Sequence, residues 1–377
     1  MKHQKHAKLA QPIVGNFGRN EWAILGTTCG NIQKLARELC PILSPNFKTA
    51  YVDADHQAGD LGEDLLFSAE YTDKIQYNRL DFRGKMTAFQ NRAAFNSEDI
   101  ILINGNHFAG KQQIVVLDPK KNDSLERKLN RLTDVKLFLS LDTEGVTMPD
   151  FLFKHLPNAP DIPVFKISET LKIAQFISEN TVVPSIKGLI LAGGQSLRMG
   201  EDKGLMNYHG KPQWSILTDF FKALNIESYV SIRYEQNSQL FDNQRVITDS
   251  FSDLGPFGAI LSAFRTDPNA AWLVVACDLP LLDLATLKTL ILSRNKSKIA
   301  TTFRSPESAE GFPEPLITIW EPKSYAILLQ FLAQGVSCPR KVLINSETNV
   351  IDPSVPSVLM NANTPEERDE ALILLKK

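Results

Sequence analysis

Between Gly188 and Lys203 the chain reads Gly-Leu-Ile-Leu-Ala-Gly-Gly-Gln-Ser-Leu-Arg-Met-Gly-Glu-Asp-Lys. Leu189 to Leu191 is the apolar run of a buried strand, two glycines turn it, and the loop beyond carries Arg198 and Lys203. Such a loop suits a nucleoside triphosphate, because glycines let backbone N–H groups approach phosphate oxygens and a lysine adds a mobile positive charge. A second chemistry-bearing residue is Asp278, in Ala276-Cys-Asp-Leu-Pro280 at the end of an apolar run. A carboxylate where a parallel strand ends lies on the ligand edge of an open α/β sheet and can hold Mg²⁺ against triphosphate oxygens. Two plainer readings stand beside these. Gly193-Gly194 is also what a simple tight turn looks like. Asp278 is also a possible N-cap, since Leu279-Pro280 leads towards Asp283-Leu284. Cys277 reads as a small buried apolar residue. No Ser/His or Cys/His nucleophile pair is apparent along the chain.

The elements that must position these residues alternate short β-branched runs with longer amphipathic segments, the pattern of parallel α/β architecture. In the first half strands are expected at 22–25, 50–52, 100–103, 114–117, 135–139 and 164–165, and helices at 32–39, 124–132 and 169–177. The polar stretch from about Gly59 to Lys85 supports no assignment. In the second half strands are expected at 187–191, 229–233, 246–247, 272–276, 299–302, 316–320 and 349–351. Helices are expected there at 213–224, 257–265, 284–294, 323–333 and 365–375. At 377 residues two domains are expected. Thr181-Val-Val-Pro184 follows a helix and precedes the glycine-rich strand, which puts the domains at 1–183 and 184–377. The expected fold class is therefore α/β, with two three-layer domains built on mostly parallel sheets.

Composition narrows the function classes. A formal net charge of -2 gives no reason to expect a nucleic-acid partner. The basic start Met1-Lys-His-Gln-Lys-His-Ala-Lys8 lacks the apolar segment of a signal peptide, and no apolar run is long enough for a bilayer. Cys29, Cys40, Cys277 and Cys338 are widely spaced, without the intervals of a zinc site or a disulfide framework. Cytoplasmic location with no membrane partner is the expectation.

The order LAGGxSxRMGxDK resembles the signature of the nucleoside-triphosphate transferase superfamily, and within it the molybdenum cofactor guanylyltransferases. Other elements follow in that family's order: Tyr208-His-Gly-Lys-Pro212, Asp249 after a strand, Leu254-Gly-Pro-Phe-Gly-Ala259, Ala276-Cys-Asp-Leu-Pro280 and Asn361-Ala-Asn-Thr-Pro-Glu-Glu367. The resemblance covers 186–377. It implies a Rossmann-like nucleotidyltransferase domain that moves GMP from GTP to the terminal phosphate of molybdopterin, with Mg²⁺ as cofactor and pyrophosphate as the leaving product. GTP and molybdopterin, or the molybdenum cofactor, are the implied partners, followed by molybdoenzymes or cofactor-insertion proteins that take the product. Lys203, Arg198 and Asp278 are the implied catalytic residues, and Asp278 the metal ligand. Leu191, Ala192, Gly193 and Gly194 would contact base and phosphates through their backbone. Asp249 matches the acidic nucleotide-pocket position, with Asp253 as a competitor, and Ser231 stands where the family often has Asn. Asn361 and Asn363 match paired asparagines that face metal or acceptor phosphate, although Thr364 with Glu367 also spells a capping box. Arg340 and Lys341 fall where the family has basic residues for the acceptor, and an ordinary surface pair is the other reading. Glu310-Gly-Phe-Pro-Glu-Pro315 replaces the His-Pro step of many relatives.

In the first half, Trp22-Ala-Ile-Leu-Gly-Thr-Thr-Cys-Gly-Asn-Ile-Gln33 has the outline of strand, glycine-rich turn and helix. A working P-loop reads GxxxxGK[ST]. Here the spacing is one residue short, and Asn31-Ile32 replaces Lys-Ser/Thr, so nucleotide hydrolysis is not expected. The segment 21–178 is similar to the GTP-binding adaptor that accompanies the guanylyltransferase in molybdenum cofactor synthesis, in degenerate form. Asn104 stands where that family has an acidic strand end. Asp53, Asp55 and His56 form either a metal-binding cluster or a polar exit from a strand, and the exit is the simpler account. Two other functions stay open: cytidylyl transfer or sugar-1-phosphate activation by the same fold, and a non-catalytic scaffold.

Overall fold

The computed structural model describes residues 16–54, 67–141, 148–193, 208, 210–233, 236, 241, 244–306, 308 and 310–375. Two units emerge, one holding Arg19–Thr181 and the other Val182–Lys377 together with residues 16–18. Among the described residues no helix is long and apolar enough to cross a membrane.

The first unit runs β1 (Asn20–Leu25), α1 (Cys29–Leu43), β2 (Thr49–Val52), β3 (Ala69–Asp73), β4 (Asn78–Phe82), α2 (Ala88–Ala94), β5 (Ile100–Asn104), β6 (Gln112–Leu117), α3 (Asn122–Glu126), β7 (Val135–Ser140), α4 (Asp150–His155), β8 (Val164–Lys166) and α5 (Thr170–Glu179). Six strands form one sheet in the order β2-β5-β1-β6-β7-β8, every pair parallel. Because β1 alternates its side chains, Trp22 and Ile24 face one layer while Leu25 faces the other. The first layer is closed by α1 and α5, whose Ile32, Leu35, Leu39, Ile173 and Ile177 are buried against the sheet. That spacing of three and four residues puts the apolar side chains of α1 on one stripe. Leu125 of α3 and Leu152 of α4 close the second layer. β5 and β6 are buried along their whole length, as strands covered on both faces must be.

Several details differ from the sequence expectation. The short helices α2 and α4 were not expected; with seven and six residues they are too brief to show an apolar period. The helix expected over 124–132 splits into α3 and a single 3₁₀ turn at Leu129–Arg131. Leu125 and Leu132 both stay buried, so the apolar period is satisfied while Lys128 and Arg131 turn their side chains onto Asn106 and the Gly105 carbonyl. Within the unassigned stretch, β3 and β4 form a separate antiparallel hairpin. Its apolar side chains are largely exposed, so no in-out alternation marked it.

The second unit runs β9 (Ile186–Leu191), α6 (Gln213–Ala223), β10 (Ser228–Ile232), β11 (Arg245–Thr248), α7 (Pro256–Thr266), β12 (Ala271–Ala276), α8 (Leu284–Leu292), β13 (Ala300–Arg304), β14 (Pro313–Trp320), α9 (Ser324–Ala333), α10 (Pro339–Ile344), β15 (Thr348–Ile351) and α11 (Pro365–Leu374). Its seven-stranded sheet has the order β11-β10-β9-β12-β14-β13-β15. Among the described residues, only β14 runs antiparallel to its neighbours. Leu273 and Val275 of β12 face a core shared with α6 and α8, and Trp272 and Val274 face one shared with α7, α9 and α10. Both sheets thus carry helices on both faces, the three-layer arrangement expected. Only six residues long, α10 offers no readable period, although Pro339 at its first position is a helix-start signal.

At β9 the packing is close enough to dictate a residue type. A Cβ on Gly188 would lie 2.8 Å from three atoms of the Phe221 ring, which is fully buried on α6. Gly188→Ala is expected to destabilise the second unit by about 1–3 kcal/mol through overpacking, read as a lower denaturation midpoint. An unchanged midpoint would mean that the ring moves aside freely.

Candidate functional site

The strand order makes the edge at which a ligand can sit. From β9 the chain moves outward to β10 and β11, then crosses back to place β12 on the other side of β9. Connections leave β9 and β12 in opposite directions, and the crevice between their carboxyl ends is the usual ligand position in such sheets. β9 and β12 pair in parallel with Leu191 opposite Ala276, and the Cys277 N–H continues the ladder to the Leu191 carbonyl at 3.4 Å. Ala192-Gly193 and Asp278 therefore emerge side by side. Gly194, Arg198 and Lys203 lie outside the described residues.

Next to this crevice, the Ala192 N–H donates to the Ser231 carbonyl at 3.2 Å, and the Gln236 amide donates to the Ala192 carbonyl at 3.2 Å. The Ser231 hydroxyl, buried on β10, donates to the Asp249 carboxylate at 2.9 Å. Asp249 is held at the end of β11 by its own N–H, which donates to the Ile232 carbonyl at 2.9 Å. Burial pushes the Asp249 carboxyl up to about 6, against the Ser231 hydroxyl and the Arg233 charge, which both favour the ionised form. The sign follows directly. A carboxyl raised in the fold contributes stability that is fully present below its ordinary value of 3.8 and is lost as pH rises from there through about 6.

On the other side of the crevice, Asp278 follows β12 and is half-buried. Asp283, not Asp278, caps α8, accepting from the Thr286 N–H at 2.7 Å. The backbone N–H of Ala362 donates to the Asp278 carbonyl at 2.9 Å. Ala362 is fully buried with Tyr208, Leu372 and Leu375 around it. That bond fixes Asn361 and Asn363 beside Asp278. The capping box is also present: the Glu367 carboxylate accepts from the Asn363 and Thr364 N–H groups, and the Thr364 hydroxyl accepts from the Glu367 N–H. Capping thus engages the backbone of Asn363 and is compatible with a second use of its side chain. Asp278 with the amide oxygens of Asn361 and Asn363 is an all-oxygen donor set, which suits Mg²⁺ shared with phosphates and waters. No group of three or more His, Cys, Asp or Glu side chains that could hold a metal occurs among the described residues.

Glu314 was not singled out from the sequence. It is buried near the start of β14 and accepts from Arg340 of α10 at 3.0 Å. Burial pushes its carboxyl above the usual range, Arg340 pulls it back, and Asp278 pushes it the same way as burial. Arg340 is thus oriented by a buried carboxylate that senses Asp278, whereas Lys341, one residue on, is exposed. The available signal was a glutamate placed between two prolines just ahead of an apolar strand. In the first unit, both oxygens of Asp53 are engaged, with the Tyr51 hydroxyl at 2.6 Å and the Asn104 amide at 2.6 Å, and Asp55 and His56 lie outside the described residues.

Residues 188–349 match the MobA-like NTP transferase domain. The chain is 30% identical over 181 residues to the molybdenum cofactor biosynthesis bifunctional protein of Synechocystis sp., covering 48% of this chain and 52% of that protein, so it spans about half the length of that relative. It is 27% identical over 187 residues to a molybdenum cofactor guanylyltransferase of Pseudomonas putida, covering 49% of this chain and 96% of the other. Among solved structures, molybdopterin-guanine dinucleotide biosynthesis protein A from Archaeoglobus fulgidus is similar at 19% identity with a TM-score of 0.43, covering 50% of this chain and 98% of that one.

The Ser231 hydroxyl stabilises the ionised Asp249. Ser231→Ala is therefore expected to move the Asp249 titration above about 6, followed by carboxyl NMR. A titration that stays in place or falls would show that the hydroxyl does not hold the carboxylate.

Proposed function

We propose that the MobA-like NTP transferase domain of the second unit transfers GMP from GTP to the terminal phosphate of molybdopterin. The observation that carries this reading is the shared edge. The glycine-rich exit from β9 and the Asp278 exit from β12 are adjacent, with Asn361 and Asn363 fixed beside them by the Ala362 bond. Guanine offers N–H donors on its Watson–Crick edge, and Asp249, carboxylate above about pH 6 and half-buried next to Ala192, is an acceptor of the right charge. Leu191 to Gly194 line the nucleotide with backbone groups, and Ser231 keeps Asp249 ionised and aimed. Arg198 and Lys203 neutralise triphosphate charge as the bond between the α- and β-phosphates breaks; positioning and electrostatics supply most of the catalysis in such transfers.

The chemistry is a direct displacement. An oxygen of the acceptor phosphate forms a bond to the α-phosphorus, the bond to the bridging oxygen breaks, and pyrophosphate leaves with that electron pair. An ionised phosphate needs no general base to attack. Mg²⁺ bound through Asp278, with Asn361 and Asn363 near it, would neutralise charge on the phosphates. Arg340, oriented by Glu314, and Lys341 attract the acceptor's phosphate. We read the first unit as a degenerate nucleotide-fold adaptor. The Asn31 amide donates to the Thr27 hydroxyl at 3.0 Å, at the turn where a P-loop would place its lysine. The same reading places the protein in the cytoplasm, handing its product to molybdoenzymes or cofactor-insertion proteins.

The deciding experiment is a titration of GTP, CTP and UTP with Mg²⁺ on the wild type and Lys203→Ala, followed by a pyrophosphate-release assay with molybdopterin. GTP preference lost in the variant is expected; preference for CTP or UTP would replace guanylyl transfer with another nucleotidyl transfer, and no binding would leave a scaffold. Asp278→Ala is expected to lower turnover by about 10²–10³ or more, with an unchanged melting temperature. Near-normal turnover would remove Asp278 from the mechanism. Glu314→Gln is expected to raise the KM for the acceptor about tenfold, equivalent to about 1.4 kcal/mol, with the KM for GTP unchanged. A rise in both would mean that Glu314 supports the fold rather than Arg340.

A further inference from the structure

The carboxyl edge of the first sheet brings together a cysteine and a histidine that the sequence separates widely. Cys29 is the first residue of α1, a 15-residue helix capped by Thr28. Its Sγ lies 3.2 Å from Nε2 of His107, in the turn after β5. The adjoining Asn106 amide lies 3.8 Å from the same sulfur and donates to the Thr27 carbonyl at 2.9 Å. Lys128 donates to the Asn106 side-chain oxygen at 3.1 Å, and Arg131 to the Gly105 carbonyl at 2.8 Å. The sulfur therefore has an imidazole at hydrogen-bond distance, the amide end of a helix beneath it and two cationic side chains at its rim. The groups facing it from β2 are Tyr51, whose phenol is pushed above its usual range by burial and by Asp53, and Asp53 itself, whose oxygens are engaged by Tyr51 and Asn104. From the end of β6, Asp118 accepts from the Thr27 hydroxyl at 2.9 Å. Cys29 and His107 are each part-exposed, so a small molecule can reach the pair. The transfer chemistry of the second unit does not use either residue.

We propose that Cys29 is a modification site that exchanges with small disulfides, with His107 as its base. The His107 Nε2 takes the S–H proton. The thiolate attacks one sulfur of the disulfide R–S–S–R, a new S–S bond to Cys29 forms, the original S–S bond breaks, and R–S⁻ leaves and takes the proton back. Cys29 is oxidised as the departing sulfur is reduced, and excess thiol reverses the step. The adduct stands at the start of α1, over the turn that joins β1 to it.

The other cysteines supply the control, since Cys338 is exposed, Cys40 is part-exposed and Cys277 is buried. The full-length protein is treated with oxidised glutathione over a range of pH, and the adduct on each cysteine is followed by peptide mass. Near neutral pH Cys29 is expected to react about tenfold faster than the more exposed Cys338, because His107 stands at hydrogen-bond distance to take its proton. His107→Gln is expected to slow the Cys29 reaction about tenfold near neutral pH, with a changed rate profile, while leaving that of Cys338 in place. Cys29→Ser is expected to remove the fast adduct. A Cys29 rate no greater than that of Cys338, measured on the wild type alone, would overturn the proposal. So would a His107→Gln protein of unchanged melting temperature with an unchanged Cys29 profile.

Discussion

The parallel pairing of β9 with β12 is the constraint on which the second unit depends. Leu189, Ile190, Val274 and Val275 are fully buried, so the two strands can be neither exchanged nor shifted without moving apolar side chains into water. A slip of one residue would turn each strand's side chains to the opposite face. The ladder continues through Cys277 and Leu191, which brings the turn at Gly193 and the carboxylate of Asp278 out at the same level of the sheet. The helices follow from this. Gly188 leaves room for the Phe221 ring, which seats α6 directly against β9.

Around that edge, carboxylates are kept usable by different means. Asp249 is raised by burial and countered by a hydroxyl and a nearby arginine, so it ionises close to neutrality and remains responsive to a donor. Glu314 is buried more deeply and is matched by a guanidinium, which converts a costly lone charge into an oriented ion pair. The Asp278 backbone is tied to the chain after β15 by the Ala362 N–H, which donates to its carbonyl.

The first unit applies the same architecture to different chemistry. Its strand order β2-β5-β1-β6-β7-β8 also places a glycine-containing turn at the carboxyl edge, but Thr27, Thr28 and Asn31 close on one another and on Asp118. What they leave facing outward is the Cys29–His107 pair with a basic rim. The sequence showed no Cys/His pair because the partners stand at the start of α1, after β1, and in the turn after β5, and these adjacent strands of the sheet are far apart in the chain.

The chain itself determined the periodic parts. Runs such as Ile100–Ile103 and Trp272–Ala276 marked buried strands by being short, apolar throughout and rich in β-branched and aromatic residues. The stripe of Ile32, Leu35 and Leu39 can only be a helix face. Local rules likewise marked Thr364 with Glu367 as a capping box. Elements without a period escaped: the exposed hairpin of β3 and β4, the short helices α2, α4 and α10, and the tightening of the chain after α3. Only the tertiary structure decided which of two aspartates caps α8, that Ser231 reaches Asp249, that Arg340 meets Glu314 and that Cys29 meets His107. Those contacts join neighbouring strands or turns, and strand order is set by how both faces of a sheet bury their side chains together, a sum over the whole unit that no local stretch contains.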